Sequence, residues 1–117
     1  MVYIYDVIHG FIPYTNLETK YLDTLWVKRL KRIKQLGLLD HVFPSASHSR
    51  FEHSVGVSYL AEKYIDCLEK NSNNFKPCKT DITCVKLAGL FHDLGHGPFS
   101  HVFDTIVLKN SSIKHEI

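Results

Sequence analysis

The rhythm of hydrophobic and polar positions changes along the chain, and the changes mark its elements. Val2 to Pro13 is rich in aromatic and β-branched residues and is broken by His9-Gly10, which predicts an extended segment folded into a short hairpin. From Asn16 the pattern turns helical, with Leu17, Tyr21 and Leu22 at helical spacing. Asp23 or Thr24 offers a cap for a second helix that carries Trp26, Leu30 and Ile33 and is expected to end at Gly37. Pro44 and the small run Ser45-Ala46-Ser47 make residues 38–49 a loop. A long helix is expected from Arg50 to about Glu69, followed by a polar, Pro-containing connection from Asn71 to Lys79. Thr80 or Asp81 would cap the next helix, which runs to about Asp93, where Gly95, Gly97 and Pro98 break it. Pro98 suits the first turn of a last helix from Phe99 to about Leu108. Lys109 to Ile117 is a polar tail. The expected fold is mainly α, with short loops and an N-terminal β-hairpin.

The helix faces sharpen this. On the helix from Arg50, His53, Val57, Leu60 and Tyr64 fall on one stripe, with Glu52, Lys63, Asp66, Glu69 and Lys70 on the other side. His53 is therefore expected to point inward with the apolar stripe. The helix from Asp81 is apolar nearly all round, through Ile82, Cys84, Val85, Leu87, Ala88, Leu90 and Phe91, and is expected to be central and buried. On the last helix His101 and Asp104 share a polar side, with Phe99, Val102, Phe103 and Ile106 opposite.

Composition removes several classes. With 117 residues, 44% hydrophobic and 22% charged, the chain suits one globular domain rather than a disordered segment. A net charge of +2 is too small to argue for nucleic acid by itself. The cysteines, Cys67, Cys78 and Cys84, are odd in number and lack a Cys-x-x-Cys pair, which argues against a disulfide framework and for a reducing compartment. The N-terminus has no signal-peptide pattern and no apolar run is long enough to span a membrane. A soluble, intracellular location, in cytoplasm or nucleus, is expected. Of eight histidines, three fall between His92 and His101, and that clustering directs attention to chemistry.

His92 and Asp93 end an apolar helix. A histidine and a carboxylate are costly to desolvate there unless something pairs with them. A divalent metal does so, and imidazole with carboxylate suits Mn, Fe, Zn or related ions. His53 on one helix and His92-Asp93 on another follow the order of the HD superfamily: a histidine, an adjacent His-Asp, then a distant aspartate. Arg50-Phe-Glu-His-Ser-Val-Gly56 and His92-Asp-Leu-Gly-His-Gly-Pro-Phe-Ser-His101 closely resemble its deoxynucleoside triphosphate (dNTP) triphosphohydrolase branch, as do Ile8-His-Gly10, Arg32-Ile-Lys-Gln-Leu-Gly37 and Val42-Phe-Pro44. The resemblance is strongest over residues 3–104. It implies an HD-domain helical bundle of which residues 1–117 form the front part, truncated before the domain is complete.

By this resemblance His53, His92 and Asp93 match three of the family's four ligands to a divalent metal (Mn, Fe, Zn or Mg). The fourth, an aspartate on a later helix, has no counterpart before Ile117. Arg50 matches an arginine that holds the substrate phosphates, a task suited to a planar, permanently charged fork of donors. Gln35 and Leu36 match residues lining the deoxyribose, and His96 and His101 match histidines beside the α-phosphate. Asp104 would orient His101 and raise its pKa for general-acid work. His115, in Lys114-His115-Glu116, matches a further catalytic histidine, although the loop before it is shorter here. The implied reaction is metal-assisted hydrolysis of a dNTP to deoxynucleoside and triphosphate. These residues by themselves are expected to be inactive or nearly so, and only marginally stable.

Departures qualify the likeness. Regulated eukaryotic members use Asp, Gln and Arg around the second helix for a guanine-nucleotide activator. Here Asp23 matches, Lys28 and Lys31 replace the Gln and Arg, and Val2 stands near a missing lysine. Asp6-Val7 replaces the usual Asp-Pro. The basic run Lys28–Lys34 is either a solvated helix face or a surface for phosphates or nucleic acid. A homo-oligomer is a further partner to consider. The alternative to an enzyme is a non-catalytic HD relic or a nucleotide- or nucleic-acid-binding module.

Overall fold

In the computed structural model of the chain, residues 1–99 and 101–106 are described. Val2–Asp6 (β1) and Gly10–Tyr14 (β2) form an antiparallel hairpin in which Val2 faces Tyr14 and Asp6 faces Gly10. The Asp6 carboxylate accepts hydrogen bonds from the Ile8 and His9 amides at 2.9 and 2.8 Å, and Gly10 takes a φ of 74°, a left-handed value that glycine adopts without a Cβ penalty. The expected His9-Gly10 break is thus a turn with its own hydrogen bonds.

Asn16–Leu22 (α1) begins at a capping box: the Thr15 hydroxyl accepts from the Glu18 amide and the Glu18 carboxylate accepts from the Thr15 amide. Leu25–Arg29 (α2) is capped by Thr24, as expected, but it tightens into a 3₁₀ turn over Leu30–Arg32 and stops there, short of Gly37. Ile33 is extended, and its carbonyl accepts from the Arg50 amide at 2.8 Å, while the Gln35 amide donates to the His48 carbonyl at 3.0 Å. A pairing distant in sequence ends this helix, and Trp26 is left 69% exposed rather than packed.

Arg50–Asn71 (α3) starts at a second capping box, Ser49 with Glu52. Lys79–Phe91 (α4) is capped at Cys78, not at Thr80 or Asp81; Asp81 instead accepts from the Cys78 amide at 2.9 Å. His101–Ile106 (α5) is shorter than expected at its start. Phe99 lies at φ 64°, a strained conformation for a bulky residue, so it belongs to the turn and not to the helix. Val102 and Ile106 are exposed. Residues 107–108, the expected end of this helix, and the tail lie outside the described residues.

The core joins the hairpin to the helices: Ile12, Tyr14, Leu22, Val27, Val55 and Leu90, flanked by Phe51, Tyr59, Leu87 and Leu94. Two expectations about faces fail. The packed face of α3 consists of Ser54, Val55, Ser58 and Ile65, with Arg50 at its start; Leu60 and Tyr64 are exposed, and His53 and Val57 lie half-buried at the edge. On α4 only Lys86 and Leu90 are fully buried, and Cys84, Val85 and Ala88 are exposed. The described residues pack against α4 mainly on one side.

Small residues explain the true contact face. A Cβ on Gly89 would stand 3.1 and 3.2 Å from the Ser58 Cα and N atoms and 3.3 Å from the Val57 carbonyl carbon, so α3 and α4 cross almost backbone to backbone. Gly89→Ala is expected to destabilise the chain by up to about 2 kcal/mol. Overpacking against a helix backbone costs roughly 1–3 kcal/mol, and the gain in helix propensity, about 1 kcal/mol, offsets only part of it. A denaturant midpoint at or above wild type would contradict this crossing.

Lys86 is the unexpected member of α4. Its Nζ lies 3.0 Å from Glu62 Oε2 and 3.4 Å from Glu18 Oε2, donates to the Pro13 carbonyl at 2.9 Å, and sits 4.7 Å from the centre of the Tyr14 ring. The Ser58 hydroxyl donates to the Val55 carbonyl at 2.9 Å, so the Tyr14 hydroxyl is the donor in its 2.6 Å bond to Ser58. Burial pushes the Tyr14 phenol up to about 12.

Candidate metal centre

The crossing of α3 and α4 brings three donors together. His53 Nε2 and His92 Nε2 are 3.2 Å apart; Asp93 Oδ2 is 3.6 Å from the first and Asp93 Oδ1 is 3.4 Å from the second. Nitrogen ligands held at about 2.0–2.1 Å from one ion stand roughly 3–3.4 Å from each other, so the imidazole pair already has the bite of a metal site. The His92 ring is oriented by its Nδ1, which donates to the Gly89 carbonyl at 2.7 Å. That bond fixes the tautomer and leaves the Nε2 lone pair facing His53, a common support for a ligating histidine. Burial holds His53 below the ordinary imidazole value, with Asp93 opposing and the charges of His92 and Arg50 adding. A neutral ring is the form that ligates.

The two imidazoles are reachable, each with 37% of its side chain exposed, while the Asp93 side chain behind them is only 6% exposed. Arg50, 3% exposed, lies against it with Nη1 to Oδ2 at 2.9 Å. The inward placement expected of His53 is replaced by a position at the mouth of the site; the inward residue of this turn is Arg50.

Gln35, Leu36, Arg50 and His101 line one cavity of about 410 Å³, with Gly37, Leu38, Phe99 and Val102 completing its wall. His96, 2% exposed, places Nε2 at 3.9 Å from Asp93 Oδ1, and its ring centre is 5.2 Å from that of His101. His101 Nδ1 lies 3.6 Å from Asp104 Oδ2. His115 lies outside the described residues.

Lys86 and Arg29 were not singled out in the sequence. Lys86 was hidden in an apolar helix and Arg29 in a basic run, where each reads as solvated surface. In that run Lys28 pairs with Asp23 at 3.2 Å, Lys34 pairs with Asp40, and Lys31 sits 4.6 Å above the Phe51 ring. Among the described residues no helix is long and apolar enough to cross a membrane.

Fold and site together define a helical domain in which one histidine and an adjacent His-Asp pair from a second helix bring their donor atoms within 4.8 Å of one another, close enough to share one metal ion. A sequence profile described as the HD domain matches residues 50–117. The chain is 48% identical over 116 residues to the deoxynucleoside triphosphate triphosphohydrolase SAMHD1 of Danio rerio, covering 96% of this chain and 19% of that protein. It is 50% identical over 104 residues to SAMHD1 of Homo sapiens, with coverages of 89% and 17%. It is 48% identical over 104 residues to the SAMHD1 homolog of Dictyostelium discoideum, with coverages of 89% and 20%. The chain belongs to the HD domain family. It spans 17–20% of the length of these curated relatives.

Proposed function

We propose that this chain supplies the metal-binding and substrate-facing part of a dNTP triphosphohydrolase. The observation that carries the reading is the sharing of Asp93: one carboxylate faces the His53–His92 pair and also pairs with Arg50, which opens onto the cavity of Gln35 and Leu36. A cation and a phosphate would meet at this point. The similarity to triphosphohydrolases over most of the chain supports the substrate class. Residues 1–49 belong to the same domain as the matched segment on this reading, since Ile12, Tyr14, Leu22 and Val27 share a core with Val55 and Leu90.

His53, His92 and Asp93 would hold one divalent ion. Two imidazoles and a carboxylate favour Mn, Fe or Zn over Mg, which prefers oxygen donors. Bound there, the ion supplies Lewis-acid charge that activates water and offsets charge on phosphate. Arg50 holds the phosphates through its planar fork, and its burial strengthens that attraction. Gln35 and Leu36 wall the sugar and leave little room for a 2′-hydroxyl. Water adds to the α-phosphorus as the bond to the 5′-oxygen breaks. His101, with Asp104 beside Nδ1, delivers the proton to that leaving oxygen, and His96 lines the same side. The contacts made by Lys28, Lys31 and Lys34 favour a structural face for the basic run over a nucleic-acid surface.

The test is product analysis on the intact protein with Mn, Fe or Zn supplied. Inorganic triphosphate and deoxynucleoside are expected, with ribonucleotides hydrolysed roughly ten- to a hundredfold more slowly, the usual reach of exclusion in a close pocket. Release of pyrophosphate or of a cyclic-nucleotide product would move the chain to a different HD chemistry.

A further inference from the structure

Arg29 belongs to the basic run, yet its guanidinium turns away from solvent. Nη2 donates to the carbonyls of Leu94 and His96, both at 2.7 Å, across 65 and 67 positions of sequence. The arginine is anchored from its own side, because Val27, two residues before it, and Leu30, next after it, are both 0% exposed. The carbonyls it gathers follow the C-terminus of α4, the end of a helix where a cation is favoured.

The turn so held is the one that carries the second histidine group. The Leu94 amide donates to the Phe91 carbonyl at 3.0 Å and the His96 amide to the Asp93 carbonyl at 3.1 Å. The His96 backbone is thus tied at its amide to Asp93 and at its carbonyl to Arg29. Between the two ties the buried imidazole is kept beside Asp93 Oδ1 and the His101 ring. Release of the carbonyl tie removes the two hydrogen bonds that reach this turn from α2.

We propose that Arg29 is a positioning residue, which fixes the Leu94–His96 turn and through it aims His96 at the substrate side of Asp93. The proposal rests on the reading of His96 as a substrate-facing group; the geometry of the turn itself does not depend on that reading. Arg29 is neither one of the three donors nor one of the residues that line the cavity. Its loss should therefore spare metal and substrate binding and act on the chemical step, where a misplacement of about 1 Å costs about 100-fold.

The experiment compares Arg29→Ala, Arg29→Lys, His96→Ala and the Arg29→Ala/His96→Ala double variant in the intact protein. Metal content should stay at the wild-type level, KM should hold within about twofold, and kcat should fall about 100-fold in Arg29→Ala. Dilute guanidinium ion should restore part of that loss. The double variant should be no slower than His96→Ala alone, the non-additivity expected when one residue acts through another. Arg29→Lys, which keeps a cation for the carbonyls, should fall between and serves as the variant if the alanine form does not fold. In protein labelled at histidine, the His96 ring resonance should move in Arg29→Ala while that of His92 stays in place. Additive losses, or an unmoved His96 resonance, would overturn the proposal. If the wild-type protein hydrolyses no dNTP, the proposed function fails by itself and the His96 resonance alone decides the role of Arg29.

Discussion

Asp93→Asn is expected to abolish divalent-ion binding and to lower stability by about 3–5 kcal/mol, the usual effect of removing one partner from a buried pair. The two effects have one origin. Asp93 Oδ2 lies 2.9 Å from Arg50 Nη1, and both side chains are almost wholly enclosed. An asparagine oxygen still accepts a hydrogen bond, but it carries no charge. The guanidinium cannot respond by losing its proton, so it stays a buried cation whose bond to residue 93 no longer carries an opposite charge. The same cation faces the donors of the metal centre, where it now opposes an incoming ion without the carboxylate between them. Metal content after dialysis and the denaturant midpoint check the two parts separately. The double variant Arg50→Met/Asp93→Asn should recover much of the stability and none of the metal. Equal stoichiometric metal in wild type and Asp93→Asn would sink the assignment of this ligand.

A loss of the same size, about 3–5 kcal/mol, is expected for Lys86→Met, far from any reacting group. Glu18 is 3% exposed and Glu62 is partly covered, and Lys86 is the cation between them. The substitution keeps most of the length of the side chain, so packing changes little, although the ammonium over the Tyr14 ring is lost with the charge. What changes is that the buried Glu18 carboxyl loses its cation and the Pro13 carbonyl loses its donor. Glu18 also accepts from the Thr15 amide at 2.7 Å, which ties the charge cluster to the start of α1. Adding Glu18→Gln to Lys86→Met should restore a large share of the loss, since two neutral partners replace a broken pair. A urea midpoint for Lys86→Met close to wild type would mean that the cluster is hydrated and contributes little.

Much of this architecture was legible locally. The Thr15–Glu18 and Ser49–Glu52 pairs mark where α1 and α3 start because a capping box needs only residues three apart, and His9-Gly10 marks the hairpin turn for the same local reason. The faces were harder. His53, Val57, Leu60 and Tyr64 make the most apolar stripe of α3, yet the helix packs through Ser54, Val55 and Ser58. Hydrophobicity could not reveal that face, since serines serve there by being small enough for Gly89 to approach. The end of α2 and the conformation of Phe99 were hidden for another reason. Ile33 turns extended to meet the start of α3, and Phe99 lies beside Gly37, whose Cβ would stand 3.4 Å from the Phe99 carbonyl oxygen. Contacts across tens of residues decide both. At the site, the order of residue types singled out His53, His92 and Asp93, which the structure brings together, but not the burial of Arg50 or the inward turn of Arg29.

Gly89 acts twice at the candidate metal centre. It lets α4 lie against the backbone of α3, and its carbonyl fixes the ring of His92. The distance between the two imidazoles is therefore gauged by main chain and not by the bulk of neighbouring side chains. Homologous proteins that share this arrangement could vary widely in the residues around Gly89 and still keep the bite. They could not vary in its count: one residue inserted between Gly89 and His92 would rotate the ligand by about 100° around the helix and remove it from the ion. The spacing from glycine to histidine is thus a fixed length in a segment whose letters are otherwise free to drift, and it offers a search pattern for distant relatives in which overall identity has faded.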